Sequence, residues 1–255
     1  MKQELIKPIV RVGNSAGVLL PREWLNGRAK IELIKEPIDI KRDVLEIIGD
    51  YLEDIIGIYV VGSYARSEQK EGSDVDILII TKDIDKKIKK GRYDLMLISA
   101  ETLRKELENN LLPLLPMIRE SKSLLNSTAI EGYKNAKFTQ RNIRFHIETT
   151  KSALAVINKA IALAEIGGRG LSENLVYSLV LRLREVYIVD CLKTGRIATT
   201  KELVYLIKKL TGSDKAYRLY LNVKNDKKRS DERINAEEAK KIQDYIIKKI
   251  KEQEL

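Results

Sequence analysis

The chain has 255 residues, of which 44% are hydrophobic, and this is enough to bury the cores of two or three small domains. One cysteine excludes an internal disulfide framework, and the lack of a signal-peptide segment or of an apolar run near ~18 residues predicts a cytoplasmic protein with no membrane partner. The net charge of +10 favours polyanionic partners such as DNA, RNA or nucleoside triphosphates, without choosing among them.

The first 36 residues predict a small β-hairpin module. Gly13-Asn14 supplies the positive φ angles of a tight turn between two apolar strands, and Pro21 favours the start of a short helix. A module of fewer than ~40 residues rarely buries enough apolar surface to fold alone. The predicted strands cover residues 9–12, 18–20 and 29–34, and the helical element covers 22–25.

The segments Arg11-Val12-Gly13-Asn14-Ser15, Gly17-Val18 and Leu20-Pro21 resemble the SpoVT/AbrB swapped-hairpin domain of AbrB-type regulators and MazE-type antitoxins. In that family two chains interleave into one barrel, so the resemblance implies a homodimer. It also implies DNA binding by basic and polar hairpin residues. A module that only dimerises is the alternative. The implied DNA-binding residues are Lys7, Arg11, Asn14 and Arg22.

Residues 37–125 predict a second domain, in which apolar strands alternate with helices and loops. Pro113 and Pro116 interrupt the helical pattern near its end. The predicted elements are a helix over residues 41–56, strands over 58–61, 75–80 and 93–98, a basic loop over 86–92, and a helix over 101–108.

One short motif directly follows the strand over residues 58–61, and a second lies at the start of the strand over residues 75–80. A Gly-Ser turn such as Gly62-Ser63 lets the backbone approach a phosphate, with the hydroxyl and amide groups as donors. Asp74 and Asp76 are two residues apart, so on a strand their side chains share one face. Two carboxylates held together repel unless a cation lies between them, and this fits Mg²⁺ bound by carboxylates and substrate phosphates.

The sequences Gly62-Ser63-Tyr64-Ala65-Arg66 and Ser73-Asp74-Val75-Asp76 together resemble the motif of minimal nucleotidyltransferases of the DNA-polymerase-β superfamily. That motif reads Gly-Ser-x-Ala-Arg and then Ser-Asp-x-Asp, at matching spacing. The resemblance implies metal-dependent transfer of a nucleoside monophosphate from a nucleoside triphosphate such as ATP to an acceptor hydroxyl, with Mg²⁺ or Mn²⁺. The implied catalytic and metal-binding residues are Asp74, Asp76 and Asp94, and the implied nucleotide-binding residues are Gly62, Ser63, Arg66 and Ser73.

Some of these assignments have competitors. Asp94 opens the third strand and suits the superfamily's third carboxylate, whereas Asp83 and Asp85 lie in the preceding loop and are weaker rivals. Arg66 fits a phosphate contact or a structural ion pair. Ser67 departs from the family, in which glycine often follows Ala-Arg.

Residues 126–255 predict a mostly helical segment, which is compatible with the C-terminal bundle of many such nucleotidyltransferases. Cys191 falls in an apolar helical run and fits a small core residue. Arg141 and His146 have the Arg-x4-His spacing of helical HEPN-type nucleases, a spacing that also arises on solvated helices. The predicted helices cover residues 142–165, 172–193, 200–210, 215–222 and 236–251.

We therefore predict an α+β protein with a mixed-sheet polymerase-β-type core, an N-terminal β swapped hairpin and a C-terminal all-α bundle, divided into residues 1–36, 37–125 and 126–255. The acceptor is a protein, an RNA or a small molecule, and the family's toxin–antitoxin associations favour the first two. The alternative function is a DNA-binding transcriptional regulator or antitoxin whose nucleotidyltransferase fold senses nucleotide or is inactive.

Overall fold

A computed structural model of the chain describes residues 4–33, 38–168, 170–226 and 232–254. The chain divides into two compact units, Met1–Asp39 and Ile40–Leu255. The boundary between them lies close to the predicted end of the hairpin module at residue 36.

The first unit contains one antiparallel hairpin of β1 (Ile9–Val12) and β2 (Ser15–Val18), followed by a short 3-10 helix at Arg22–Trp24. Gly13 makes the turn with a φ of 58°. The strand predicted over residues 29–34 is not formed at residues 29–33, and residue 34 lies outside the described residues. A strand needs a neighbour to bond with, and the described residues of this unit offer none to that segment.

The first unit has no hydrophobic core within residues 4–33, since none of these residues is buried. Ile6 is 77% exposed, and Leu19 and Leu25 are each 70% exposed. An isolated two-stranded hairpin is at best marginally stable in water. Apolar side chains that would normally be buried in a core are therefore exposed in this unit.

The second unit is built on a five-stranded mixed sheet with the strand order β5-β6-β4-β3-β7. β4 and β6 are parallel neighbours, and the other neighbouring pairs are antiparallel. The predicted α+β class with a mixed sheet is confirmed. The strands are β3 (Ile55–Val61), β4 (Val75–Thr81), β5 (Lys86–Lys90), β6 (Tyr93–Ser99) and β7 (Lys122–Leu125).

Helices make up most of the remainder of this unit, and the long helices predicted after residue 140 are observed close to their expected bounds. No helix among the described residues is both long and apolar enough to span a bilayer. The helices are α1 (Ile40–Ile47), α2 (Gly62–Ala65), α3 (Ala100–Asn109), α4 (Leu115–Glu120), α5 (Ser127–Lys134), α6 (Gln140–Gly167), α7 (Glu173–Lys193), α8 (Thr200–Thr211), α9 (Lys215–Lys224) and α10 (Ala236–Gln253).

Two predictions in this unit were wrong in extent. The helix predicted over residues 41–56 ends at Ile47, because a 3-10 turn follows and the apolar residues from Ile55 onward join the interior strand β3. The predicted basic loop is a strand over Lys86–Lys90, since Ile88 packs inward and Gly91, with a φ of 59°, turns the chain back into β6.

The two faces of the sheet pack against different partners. Ile58, Ile77 and Leu95 face a core shared with α1. Tyr59 and Leu78 point to the other face and belong to a core that continues through the helices α3 to α10. Residues 40–255 form one compact unit, and their division into separate domains after residue 125 stays a prediction.

Candidate active site

The three predicted carboxylates come together at the amino ends of β4 and β6. Asp76 and Asp94 are direct partners in the parallel ladder of these strands, so their side chains point to the same face. Asp74 lies two residues before Asp76, where it is close enough for its charge to affect that carboxyl. By alternation with Leu78 and Met96, this is the sheet face that packs against the helices.

The electrostatics of Asp76 fit a cation site. Burial raises the pKa of Asp76, and the charges of Asp94 and Asp74 raise it further, while Lys224 and Arg66 lower it. A bound cation would relieve this cost of ionising Asp76.

Metal ligands other than side chains would have to complete the site. Among the described residues, no group of three or more Asp, Glu, His or Cys side chains is arranged to hold a metal ion. Mg²⁺ characteristically takes only one or two carboxylates and completes its shell with water and substrate phosphates. Asp76 together with Asp94 or Asp74 therefore supplies the one or two carboxylates that suit a Mg²⁺ or Mn²⁺ ion bound together with a triphosphate.

Gly62 permits the close approach between the motif turn and Asp76. Its φ of 67° lies in the left-handed region, and a Cβ at this position would lie 2.2 Å from Asp76 Oδ2. Ser63 follows at the start of the short helix α2, and its hydroxyl makes no hydrogen bond with the described residues. Glycine is thus required here for its conformation and for its size.

Glu120, at the end of α4, is a site residue that the sequence motifs did not indicate. Its Oε1 accepts a hydrogen bond of 2.7 Å from the backbone N–H of Gly62. The side chain is only 7% exposed, and burial raises its pKa, although Arg66 acts in the opposite direction. Glu120 therefore accepts the hydrogen bond of the Gly62 backbone amide, which the sequence analysis assigned to a phosphate. No local sequence pattern indicates this contact.

Arg66 forms the structural ion pair that was one of its two alternatives. Its Nη1 lies 2.6 Å from Glu120 Oε2, and its Nε lies 2.8 Å from Glu68 Oε2. Glu68 Oε1 in turn accepts a 2.9 Å hydrogen bond from the backbone N–H of Thr200, the first residue of α8. Arg66 therefore connects the motif turn to two helices.

Two serines of the motif region have roles in loop geometry. The Ser73 hydroxyl accepts a 2.8 Å hydrogen bond from the backbone N–H of Lys70, which closes the loop before Asp74. Ser67 has a φ of 58°, so the position at which the family often has glycine does adopt the left-handed conformation. Its hydroxyl accepts a 3.2 Å hydrogen bond from Lys122 Nζ.

Asp85 forms its hydrogen bonds outside the carboxylate site. Its carboxylate accepts hydrogen bonds from the Ser99 N–H at 2.8 Å and from the Thr102 hydroxyl at 2.8 Å, and the first of these lowers its pKa. This places Asp85 at the start of α3, and Asp83 is an exposed loop residue. Asp94 is thus the candidate that the structure brings beside Asp76.

A cavity of about 950 Å³ opens next to the carboxylates. Gly62, Ser63, Asp74 and Asp76 contribute to its lining. Asp94 does not line it and stands on the opposite flank of Asp76, toward β5. The cavity therefore lies on one flank of Asp76, and the exposed Asp94 lies on the other, open flank.

Cationic and aromatic side chains form the helical wall of this cavity. Arg184 of α7 and Lys224 of α9 face the acidic edge. Burial and the charge of Arg184 lower the pKa of Lys224, whereas Asp76 raises it. Tyr217 and Tyr220 line the same wall, with ring centroids 5.8 Å apart. The cavity combines positive charge with an aromatic surface, which suits a nucleotide.

Arg141 and His146 make separate contacts. His146 is buried, and its Nε2 lies 3.1 Å from Gln253 Oε1 in α10. Arg141 Nη2 donates at the surface to Asn109 Oδ1 at 2.6 Å. The two side chains thus have structural partners on different helices.

The predicted DNA-binding residues lie in the first unit and are all exposed. Arg11 Nε donates a 2.9 Å hydrogen bond to the Gly13 carbonyl, so this side chain folds back over the hairpin turn. Lys7, Asn14 and Arg22 are exposed to solvent.

Comparison with known proteins supports the resemblance seen in the two motifs. Residues 41–154 match the family model of the nucleotidyltransferase domain, a range that includes the whole carboxylate site. A protein of Methanocaldococcus jannaschii named "Putative protein adenylyltransferase MJ0141" is 44% identical over 54 residues, which are 21% of this chain and 48% of that protein. The chain thus spans about half the length of the curated relative it matches.

Two solved structures are more distant. A nucleotidyltransferase-like protein from Exiguobacterium sibiricum is 13% identical, with 84% of this chain and 75% of that chain covered and a TM-score of 0.37. The spectinomycin adenyltransferase AAD(9) from Enterococcus faecialis, crystallised with ATP and spectinomycin, is 17% identical, with 82% and 97% covered and a TM-score of 0.42.

We predict that Glu120 stabilises the motif turn. Glu120→Ala removes the acceptor of the Gly62 N–H and one partner of a largely buried guanidinium, so the free energy of unfolding should fall by about 2 kcal/mol. Glu120→Gln keeps an acceptor for Gly62 and removes a carboxylate whose ionisation is disfavoured by burial, so it should cost clearly less. Urea denaturation measures both changes. Glu131→Ala, which removes an exposed carboxylate paired with Lys134, is the control and should have little effect. Equal losses for Ala and Gln would contradict a role for the amide hydrogen bond.

Proposed function

We propose that this chain is a metal-dependent nucleotidyltransferase, which transfers a nucleoside monophosphate from a nucleoside triphosphate to an acceptor hydroxyl. The observation that carries the proposal is the pairing of Asp76 with Asp94 in adjacent parallel strands, with Asp74 nearby and the Gly62 turn packed against Asp76. The match of residues 41–154 to the nucleotidyltransferase domain supports it.

In the proposed reaction the side chains have distinct tasks. Asp74 and Asp76 would hold Mg²⁺ or Mn²⁺ with Asp94, and the ion would supply positive charge to the phosphate oxygens. The acceptor oxygen forms a bond to the α-phosphorus, the bond to the bridging oxygen breaks, and pyrophosphate leaves. Asp94, on the open flank, takes the proton of the acceptor hydroxyl. Ser63 donates to a terminal phosphate.

The cations of the helical wall suit the leaving group. Negative charge accumulates on pyrophosphate as the bond to the α-phosphorus breaks, and preorganised cations stabilise such charge. Arg184 and Lys224 line the same cavity as Asp74 and Asp76, and the charge of Lys224 acts on Asp76. We infer that these two residues bind the β- and γ-phosphates.

The M. jannaschii relative, which is named as a protein adenylyltransferase, supports adenylyl transfer to a protein as one form of this activity. RNA and small molecules remain alternative acceptors. The proposed toxin–antitoxin association rests on the family resemblance, and the buried free thiol of Cys191 agrees with a cytoplasmic location.

We propose that the first unit forms a homodimer. The observation behind this is the exposure of its large apolar side chains together with the absence of any buried residue in residues 4–33. A second copy could supply both a core and a strand partner for residues 29–33, as the swapped-hairpin resemblance implies.

DNA binding by this unit is the second candidate function. It is favoured by the exposed basic residues Lys7, Arg11 and Arg22 around a formed hairpin. In this alternative the chain is a regulator or antitoxin, and the second unit senses nucleotide or is inactive.

Asp76→Asn should abolish nucleotide transfer and the thermal stabilisation that a Mg²⁺–triphosphate complex gives the wild type. The unliganded variant should nevertheless melt at a higher temperature than the wild type at neutral pH. Burial and neighbouring carboxylates raise the pKa of Asp76 in the folded chain, so ionisation of Asp76 destabilises the fold above that pKa. The difference should vanish at acidic pH, where this carboxyl is protonated in both the folded and the unfolded state.

Asp83→Asn is the matched control, because it removes the same charge from an exposed loop. It should leave transfer and the Mg²⁺–triphosphate response unchanged. Retention of transfer by Asp76→Asn would contradict the proposed function.

Deletion of residues 1–39 should convert a dimer to monomers without unfolding the second unit, which has its own cores. Light scattering measures the mass in solution. Leu163→Ser is the control, because this residue is 71% exposed on α6 and offers a rival apolar contact. An unchanged oligomer after the deletion would move the proposed dimer contact to the helices.

Arg11→Ala combined with Arg22→Ala should weaken binding to duplex DNA. Loss of two phosphate contacts should flatten the log–log salt dependence of affinity by about 1.8 units, at about 0.9 per contact. Arg28→Ala with Lys30→Ala removes the same charge from the same unit and should change the slope less. Gel shifts at several salt concentrations measure both variants. If the wild type does not bind duplex DNA at low salt, the first unit only dimerises.

A further inference from the structure

A row of charged residues crosses the sheet beside the carboxylates. Lys89 of β5 is the ladder partner of Asp94 in β6, and Asp94 is the partner of Asp76 in β4. Paired residues in neighbouring strands point to the same face, so Lys89 extends the acidic row toward the edge of the sheet. Lys87, the partner of Met96, points to this face as well. We call Lys87 and Lys89 the lysine row.

The other two lysines of the strand point to the opposite face. Lys86 Nζ donates a 2.6 Å hydrogen bond to the hydroxyl of Tyr51, which packs on the α1 side of the sheet. Ile88 contributes to the core on that side, and Lys90 follows it by two residues. The strand thus carries two pairs of lysines of equal charge on different faces.

The lysine row is available to a ligand. Lys87 and Lys89 are exposed, and their ammonium groups make no hydrogen bond or ion pair with the described residues. Lysines on an edge strand also discourage pairing with other sheets, but a lysine on either face serves that purpose. The need to prevent pairing at the sheet edge therefore does not explain why Lys87 and Lys89, in particular, lie on the same face as Asp94.

The cavity suggests which substrate lies on each side of the carboxylates. Its lining includes Asp74, Asp76, Arg184 and Lys224, and under the proposed function this flank holds the triphosphate. Asp94 lies outside that lining, on the side of β5. An acceptor hydroxyl that reaches Asp94 from the open flank passes the lysine row.

Resting on the proposed nucleotidyltransferase function, we propose that the lysine row binds the acceptor and that this acceptor is the 3′-hydroxyl end of a single-stranded nucleic acid. Residues two apart on a strand are about 7 Å apart, so the two ammonium groups can contact successive phosphates behind the terminal nucleoside. The 3′-oxygen forms the new bond to the α-phosphorus, pyrophosphate leaves, and Asp94 receives the proton. RNA and DNA share this chemistry.

The test compares Lys87→Ala/Lys89→Ala with the matched control Lys86→Ala/Lys90→Ala. One assay measures anisotropy of labelled single-stranded RNA and DNA oligonucleotides without triphosphate. The other follows transfer from a triphosphate labelled at the α-phosphate to each oligonucleotide, to 3′-phosphate-blocked versions and to a cell protein extract. Melting curves check folding, and Lys87→Gln/Lys89→Gln replaces the alanine variant if that variant does not fold.

The lysine-row variant should lose about tenfold in kcat/KM for the oligonucleotide, mainly through KM. Its log–log salt slope for binding should flatten by about 1.4 units, which corresponds to two contacts on a single strand. The control should retain both values, and the 3′-phosphate should block transfer. The RNA and DNA arms identify which nucleic acid is used.

Equal losses in both double variants would overturn the proposal. So would a wild type that labels protein but neither oligonucleotide, and this result would leave the nucleotidyltransferase function standing. A wild type that shows neither Mg²⁺–triphosphate stabilisation nor transfer to any acceptor would instead refute the proposed function, and the acceptor site with it.

Discussion

The contact between the Asp76 carboxylate and Gly62 determines how the rest of the site is arranged. Any side chain at position 62 would collide with Asp76 Oδ2, and the positive φ of this residue turns β3 into α2 at the point where β4 begins. The turn that offers a phosphate contact is therefore held against a carboxylate suited to a metal. Under the proposed function, this close approach lets a phosphate and a metal ion meet beside the carboxylates. Burial and the neighbouring carboxylates raise the pKa of Asp76, which is the electrostatic cost of the arrangement.

The motif turn is also held from the helical side. Glu120 accepts from the Gly62 N–H, and Arg66 joins Glu120 to Glu68, which bonds to the first residue of α8. Because these ionic groups are mostly shielded from water, each depends on its partner. Their effect is to couple the turn to α4 and α8, which contribute Glu120 and Thr200 to the lining of the cavity.

The two units differ in what stabilises them. The second contains two hydrophobic cores on opposite faces of its sheet, whereas the described part of the first buries no residue. Apolar burial is the main favourable contribution to folding, and the described part of this hairpin leaves Ile6, Leu19 and Leu25 exposed. Under the proposed dimer, association would supply the missing core of the first unit, whereas the second unit has its own cores.

Local patterns in the chain were sufficient for the helices after residue 140 and for the strands that carry Asp76 and Asp94, because these depend on the period of a helix or strand. They also indicated the Gly62 turn, since only a few residue types favour positive φ. The adjacency of Asp94 to Asp76 required the parallel register of two strands, and the lysine row required β5 to be a strand. Glu120, Arg184 and Lys224 reach the site from distant helices. Side chains that meet only through packing leave no periodic signal, so their place was decided by the tertiary structure alone.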